Sequence, residues 1–360
     1  MPNSFNKGEW SEFYTFVKIL ADKKVYAADE DLQRIEDIFY PILKVLRKEN
    51  GVNKIYDLSE QNIIQIFQDN QEEIAQVPTE QIKASVQKLF KEIKNTKGAS
   101  FEVQSSEELM PLLHCDKVKA ESGKKEDIKL VIHDSITLRD SEVGFSIKSN
   151  IGNAPTLLNA SQATNFRYKI DNFTSDIAAI NAISTRSKIR DRLLAISETG
   201  ATISFDELPH EIFRKNVRKN DSLMPLILSE FLLTFFSGQG NAIAGLAEIV
   251  ASSSAIQNLN LDFDYEDIKF KMKYLLLNIA LGMVPATMWD GFLKADGGYI
   301  VVKEDGDILC YHIYNIAQFS EYLFNHTRFD TPSSTRHGFG EIYEDNGQLY
   351  INLNLQIRFI

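Results

Sequence analysis

Apolar residues recur at helical spacing along the first hundred positions. Trp10, Phe13, Phe16, Val17 and Leu20 form one group, and Leu32, Ile35, Ile38, Phe39 and Ile42 a second. Ile63, Ile64 and Phe67 make a third, and Ile82, Val86, Leu89, Phe90 and Ile93 a fourth. Residues three and four apart share one helix face, so the pattern predicts a helical region over residues 1–100 with its aromatics in a bundle core.

Beyond Gly98-Ala-Ser100 the period changes. A short helix is expected from Ser106 to Leu113, then the charged loop Glu121–Glu126. Two strands follow, Asp127-Ile-Lys-Leu-Val-Ile132 and Val143-Gly-Phe-Ser-Ile-Lys148. The segment 151–170 opens as a Gly/Pro turn, passes through a short helix or ordered loop, and ends in a strand. Residues 174–200, 208–256 and 265–290 read as helical, with Gly238-Gln-Gly-Asn241 interrupting the second of these as a hinge or close-packing point. Tyr299–Val302 and Ile308–Tyr311 flank the turn Glu304-Asp-Gly-Asp307, and a helix spans Ile316–Phe324. A last hairpin turns at Asp345-Asn-Gly347 before the alternating Leu349, Ile351, Leu353, Leu355, Ile357 and Phe359. The expected organisation is mixed α+β in four consecutive regions, 1–100, 101–200, 201–297 and 298–360.

Composition narrows the classes. With 360 residues and 44% hydrophobic content, the chain can bury a sizeable core. Cys115 and Cys310 lie far apart without metal-ligand spacing and are expected as small buried residues of a reducing compartment. No secretion signal is apparent, and the apolar run Leu223–Phe236 is too short to span a bilayer. A soluble, cytoplasmic protein with no membrane partner is therefore expected. The net charge of −11 argues against a general nucleic-acid binder. Residues 127–219, however, hold 13 Lys/Arg against 11 Asp/Glu, a local net of +2 that leaves −13 for the rest. Such a distribution suits specific DNA binding with weak non-specific affinity.

Candidate chemistry begins at the two strands. Gly144, Ser146 and Lys148 share one face of the second strand, and Val143, Phe145 and Ile147 share the other. The small polar face sets a hydroxyl and a lysine against the Asp127 carboxylate. A carboxylate can bind a hard divalent cation, and a lysine beside it can orient or deprotonate a water, which together suit phosphodiester hydrolysis. A turn aspartate and a strand-end lysine would give the same spacing, so both readings stand. Gln162, fourteen residues beyond Lys148, could complete a metal shell with its amide oxygen, or be an ordinary surface amide. His114, His133, His210, His312, His326 and His337 show no zinc spacing. No P-loop or GxGxxG occurs, and no GxSxG or SxxK element supports a Ser146/Lys148 hydrolase acting on esters or amides. The polar loop Thr331-Pro-Ser-Ser-Thr-Arg-His-Gly-Phe-Gly340 offers Arg336 and His337 for base edges, and Ser333, Ser334 and Thr335 for phosphates. An exposed loop without a partner is the plainer alternative.

At these residues the sequence resembles the HpaII family of type II restriction endonucleases. The likeness is carried by Glu142–Phe166, by Ser333–Gly340, by the closing Tyr350–Phe359 and by Glu9-Trp-Ser-Glu-Phe-Tyr14. The resemblance implies a Mg²⁺-dependent enzyme of a restriction–modification system that cuts double-stranded DNA at CCGG, partnered by a cytosine methyltransferase. It also implies a PD-(D/E)xK-like nuclease core in residues 101–200, between a helical N-terminal region and a helical middle region, with a β-rich DNA-recognition region at the C-terminus. On that pattern Asp127 is the metal-binding acid and Lys148 the lysine, while Ser146 stands where a second acid usually does and Gln162 is the compensating candidate. Other nucleases that read CCGG cores carry Arg-x-Asp-Arg just after the lysine. This chain lacks it there, and Arg190-Asp-Arg192 lies farther along as a further candidate for DNA contact. A palindromic site suggests a homodimer. The rival reading is a DNA-binding protein of the same fold that no longer cleaves.

Overall fold

The computed structural model describes residues 4–69, 72–121, 123, 125–134, 138–259 and 261–360. Ser122 and Lys124 of the predicted charged loop lie outside the described residues, as do Met1–Asn3, where a secretion signal would begin. The chain forms two compact units, each assembled from separated stretches. The first comprises Met1–Pro155 and Leu293–Phe319, the second Thr156–Phe292 and Ser320–Ile360.

In chain order the first unit supplies α1 (Lys7–Asp22), β1 (Lys24–Ala28), β2 (Arg34–Glu49), β3 (Val52–Asp57), β4 (Ile63–Gln68), β5 (Glu72–Pro78), α2 (Thr79–Asn95), α3 (Ser106–Leu112), β6 (Ile128–Asp134) and β7 (Arg139–Ser149). The second unit follows with β8 (Thr156–Leu158), β9 (Asn165–Asp171), α4 (Ile177–Asn181), α5 (Lys188–Glu198), β10 (Thr202–Glu207), α6 (Glu211–Asn220), α7 (Met224–Phe236), α8 (Ile243–Ala251), α9 (Ser254–Gln257) and α10 (Tyr265–Leu281). The first unit resumes with β11 (Gly298–Val302) and β12 (Ile308–His312), and within α11 (Ile316–Asn325) the chain passes back to the second. The second unit ends with β13 (Thr327–Phe329), α12 (Ser334–His337), β14 (Ile342–Asp345), β15 (Gln348–Asn354) and β16 (Ile357–Phe359).

The first unit is a sheet in the order β1-β12-β11-β7-β6-β2-β3-β4-β5, and a further β1–β2 pairing closes the circuit from β1 round to β2. β7 lies inside this sheet, antiparallel to β6 and parallel to β11. Parallel neighbours need a long crossover, and here the larger part of the second unit, Thr156–Phe292, occupies the chain between them. α1 is opened by a capping box: Glu9 donates its N–H to Asn6 Oδ1, and Asn6 donates its N–H to Glu9 Oε2, each at 3.0 Å. Trp10, Phe13, Phe16 and Leu20 of α1 join Val86, Leu89 and Phe90 of α2 and Phe145 and Ile147 of β7 in one core. Each large apolar side chain so buried contributes roughly 1.5–3 kcal/mol.

Residues 1–100 are therefore not a helical bundle. α1 and α2 form where the spacing predicts, but the second and third apolar groups lie on β2 and β4. In β2 the buried positions are Tyr40, Ile42, Val45, Arg47 and Glu49, an alternation that slips one residue at the bulge between Ile42 and Lys44. Ile38 and Phe39, which fit a helix face, stay largely exposed. β10 lies where no strand was expected, and the final alternating run is divided between two sheets, β10-β9-β15-β14 and β13-β16-β8. The expected strands at 127–148, both later hairpins and most helices of the middle region are present. The four consecutive regions do not coincide with the two units. Cys115 and Cys310 are free and buried, and burial pushes the Cys115 thiol up to about 11.

Candidate active site

In the first unit, Asp127 and Lys148 come to adjacent strand ends. Ile128 pairs with Phe145, and the Asp127 N–H donates to the Phe145 carbonyl at 2.8 Å. One step farther out, the Asp127 side chain replaces the backbone as partner of β7. Its Oδ2 accepts the Ile147 N–H at 2.8 Å and the Ser146 hydroxyl at 3.1 Å. Among the described residues Oδ1 takes no hydrogen bond. Ser146 is buried and spends its hydroxyl on orienting the aspartate, while Lys148, opposite Val301, is half-buried at the end of the same strand.

The small residue at 144 has a steric cause. A Cβ there would come within 2.3 Å of Glu126 Oε2. The Gly144 N–H donates to Asp296 Oδ1 at 2.8 Å, fastening β7 to the residues that lead into β11.

Three ionisable residues to which the sequence assigned no role complete the cluster. Glu12 of α1 receives Lys119 Nζ at 3.2 Å on Oε1. Burial, reinforced by the charge of Asp127, pushes the Glu12 carboxyl up to about 7 against the pull of Lys119 and Lys148. Burial and the neighbouring Lys148 bring the Lys125 ammonium down to about 8. For Lys119 burial pulls downward, but the ion pair with Glu12 prevails and its pKa is raised. Glu12 and Asp127 line one cavity of about 530 Å³ together with Arg47, Lys54 and Lys129.

The donors suit a hard divalent cation. Mg²⁺ takes oxygen ligands and commonly needs only one or two carboxylates, the rest of its shell being water and substrate phosphate. Glu12 and Asp127 are two partly desolvated carboxylates near enough for one charge to disfavour the other, a repulsion that a cation relieves. Among the described residues no group of three or more His, Cys, Asp or Glu is arranged around a common point.

The other predicted site residues belong to the second unit. Gln162 is exposed, in a 3-10 turn (Gln162–Thr164) braced by Ser161 and Thr164, and its amide makes no hydrogen bond among the described residues. Ser334, Thr335, Arg336 and His337 form the short helix α12, capped by Ser333 and stopped by Gly338 in the left-handed conformation. Arg336 and Thr335 are exposed; His337 is half-buried, and its carbonyl accepts from Asn165 Nδ2 at 2.9 Å. Arg190, Lys188, Ser334 and Thr335 line a cavity of about 520 Å³, so residues far apart in sequence meet here. Arg190 is also paired with Asp191 at 3.1 Å.

Arg192 departs from its expected role. It is buried, and its guanidinium donates to the carbonyls of Ile183 (3.2 Å), Gly340 (2.5 Å) and Asn181. It therefore braces the end of the 331–340 loop from within. Gly340 has φ +82°, and a Cβ there would meet Ile189 Cδ1 at 2.0 Å, so the loop end is fixed tightly against α5.

The family model "HpaII restriction endonuclease" matches residues 6–359. The chain is 39% identical over 360 residues to "Type II restriction enzyme HpaII" of Haemophilus parainfluenzae, covering 99% of each chain. No solved structure matches. With the match running through α1, β6, β7 and the C-terminal loop, this chain belongs to the HpaII family of restriction endonucleases.

Proposed function

We propose that this enzyme cuts double-stranded DNA at CCGG by Mg²⁺-dependent hydrolysis within a PD-(D/E)xK-like core, leaving a 5′-phosphate and a 3′-hydroxyl. The observation that carries the chemistry is the Asp127 carboxylate, held by the Ser146 hydroxyl and the Ile147 N–H, two residues and one residue before Lys148. Sequence specificity rests on the family resemblance.

Asp127 would hold the metal with Oδ1 while Oδ2 stays fixed by β7. Bound there, Mg²⁺ supplies charge stabilisation on the leaving oxygen. Lys148 positions or activates the attacking water. Ser146 keeps the aspartate oriented, and Gln162 remains a candidate for the outer metal shell. Arg336 and His337 are proposed to meet base edges, with Ser334, Thr335 and Arg190 on the backbone. Arg192 would act on DNA only through the loop it supports. The palindromic site favours a homodimer. A methyltransferase protecting host DNA, and a cytoplasmic location, accompany this reading; among the described residues no helix is long and apolar enough to cross a membrane.

The test is digestion of unmethylated plasmid with Mg²⁺ or EDTA, followed by end-sequencing. Discrete Mg²⁺-dependent ends at CCGG are expected. Lys148→Ala should lower cleavage by at least about a hundredfold, at the low end of what acid–base groups contribute, and leave binding to a CCGG duplex unchanged. Cleavage in EDTA, or full activity of the Lys148→Ala variant, would refute the assignment.

A further inference from the structure

We infer that the second unit's cavity at the start of α5 is a preformed seat for one phosphate of the DNA backbone, held by Arg186 and Lys188. The inference rests on the proposed action on DNA and adds to it two cations that no motif marks.

Arg186, Lys188 and Arg190 line this cavity of about 520 Å³ together with Ser333, Ser334 and Thr335. Gly238, at the end of α7, lines it too. Its φ is +84°, and a Cβ there would come within 2.9 Å of Arg190 Cδ, so the arginine stem lies directly against the backbone. The segments that build the cavity are tied to one another. Arg192 of α5 donates to the Gly340 carbonyl at 2.5 Å, and the Phe329 N–H donates to the Asn241 carbonyl at 2.9 Å. The rings of Phe236 and Phe339 lie 5.8 Å apart. Walls fixed in this way need little reorganisation when a ligand enters, which lowers the cost of binding.

The charges point to an anion. Most lysines and arginines of the second unit are paired with acids. Arg186 and Lys188 make no ion pair and no side-chain hydrogen bond among the described residues. Asp191, the acid next to them in sequence, is already engaged by Arg190 at 3.1 Å and by the Thr185 hydroxyl at 2.6 Å. A protein of net charge −11 has acids to spare, yet these two cations face a cavity without one. The Ser187 side chain makes no cap bond to α5, and the Ile189 and Arg190 N–H groups take no backbone hydrogen bond among the described residues. Free N–H groups at a helix start add to the attraction for an anion. Cations, hydroxyls and helix N–H groups are the donors that meet DNA phosphates, and they fix register without reading bases. A free phosphate would satisfy the same groups, and the test separates the sources, because loss of a ligand other than DNA leaves every duplex affinity unchanged.

The experiment is duplex binding by the full chain in EDTA over a range of KCl concentrations. Wild type is compared with the double variant Arg186→Ala/Lys188→Ala and with Arg218→Ala, which removes an exposed arginine of α6 outside the cavity. Binding is then repeated with duplexes carrying a neutral methylphosphonate at one linkage at a time. The double variant should melt with wild type, since both side chains lack partners. Its salt slope should be lower by about one, with CCGG and mismatched duplexes weakened alike. One methylphosphonate should weaken wild type and leave the double variant unaffected. An unchanged slope, an equal fall in Arg218→Ala, or full sensitivity of the double variant at every linkage would overturn the inference. Equal wild-type affinity for CCGG and mismatched duplexes would refute the CCGG reading, while the slope comparison would still decide this one. If the double variant melts lower, Arg186→Gln/Lys188→Gln takes its place under the same outcomes.

Discussion

Single residues at this site hold others in place as much as they carry chemistry. Ser146 is informative because it stands where a second acid was expected and instead donates to the first. Ser146→Ala removes one of two donors to Oδ2 while the Ile147 N–H remains. A hydrogen bond to a charged group is worth about 1.5–3 kcal/mol. The variant should melt within a few degrees of wild type and cleave several-fold more slowly under single turnover. A loss as large as that of Lys148→Ala would show that Ser146 does more than orient the aspartate. Another buried residue sets an acid limit on stability. His312 accepts the Tyr314 N–H on Nδ1 at 3.2 Å, packs on Tyr40 at 4.8 Å between ring centroids, and leaves Nε2 buried without a partner. Burial lowers its pKa from 6.5 to about 4, only partly opposed by Asp134. Between those values the unfolded chain takes up a proton that the folded chain refuses. Stability therefore rises with pH across this window and is lost as pH falls towards 4, by at most about 3 kcal/mol. Melting at pH 7.5 and pH 5 should show a larger acid loss for wild type than for His312→Phe, and equal losses would remove His312 as the cause.

At the level of elements, what was legible depended on whether local pattern or distant pairing fixed the structure. α1, α2, β6 and β7 were readable because their apolar faces follow a single period and their core is apolar. β2 was not, because its buried face includes charges. Arg47 and Glu49 are buried and ion-paired, and Lys54 of β3 meets Glu49 at 3.1 Å and Asp116 at 2.9 Å. A reading that counts only apolar residues skips these positions and finds a helical period in Leu32, Ile35, Ile38, Phe39 and Ile42, of which only Ile42 is buried. The network also ties the loop before β6 to the sheet, since Asp116 donates its N–H to Glu49 Oε2 at 2.8 Å and Arg47 donates to the Val118 carbonyl at 3.0 Å. That loop presents Lys119 to Glu12. Glu49→Ala would leave two buried cations without their shared acid, which typically costs about 3–5 kcal/mol. Urea denaturation should show that loss, and cleavage should fall as the loop loosens. A change below about 1 kcal/mol would mean that water replaces the carboxylate. Glu12 escaped notice for the opposite reason. It is one polar position in the Glu9–Tyr14 stretch of a helix whose apolar spacing marks core, and its partner Lys119 lies more than a hundred residues away in sequence.

The proposed function assigns hydrolysis and reading to different units. It places the chemistry in the first unit, whose strand β7 pairs with β11 across the inserted Thr156–Phe292, while the loop with Arg336 belongs to the second unit. Consecutive blocks could not reveal this, because strand pairing between residues 145–149 and 298–302 leaves no local trace. Arg336 and Arg192 share a loop's fortunes yet should fail differently. Arg336 is exposed, so Arg336→Ala should keep the melting temperature and Mn²⁺ uptake. It should weaken CCGG binding by about 1–3 kcal/mol, roughly 5- to 150-fold, and narrow the gap between CCGG and a mismatched site. Arg192 is buried on three carbonyls, so Arg192→Ala should lower the melting temperature together with affinity. A salt titration adds an independent discriminator. An arginine that reads bases changes the specificity ratio at every salt concentration, whereas one that only neutralises a phosphate lowers the salt slope by about one and weakens all sequences alike. If Arg336→Ala weakens CCGG and mismatched duplexes equally with a reduced slope, Arg336 is a backbone contact, and base readout must be sought elsewhere in the second unit.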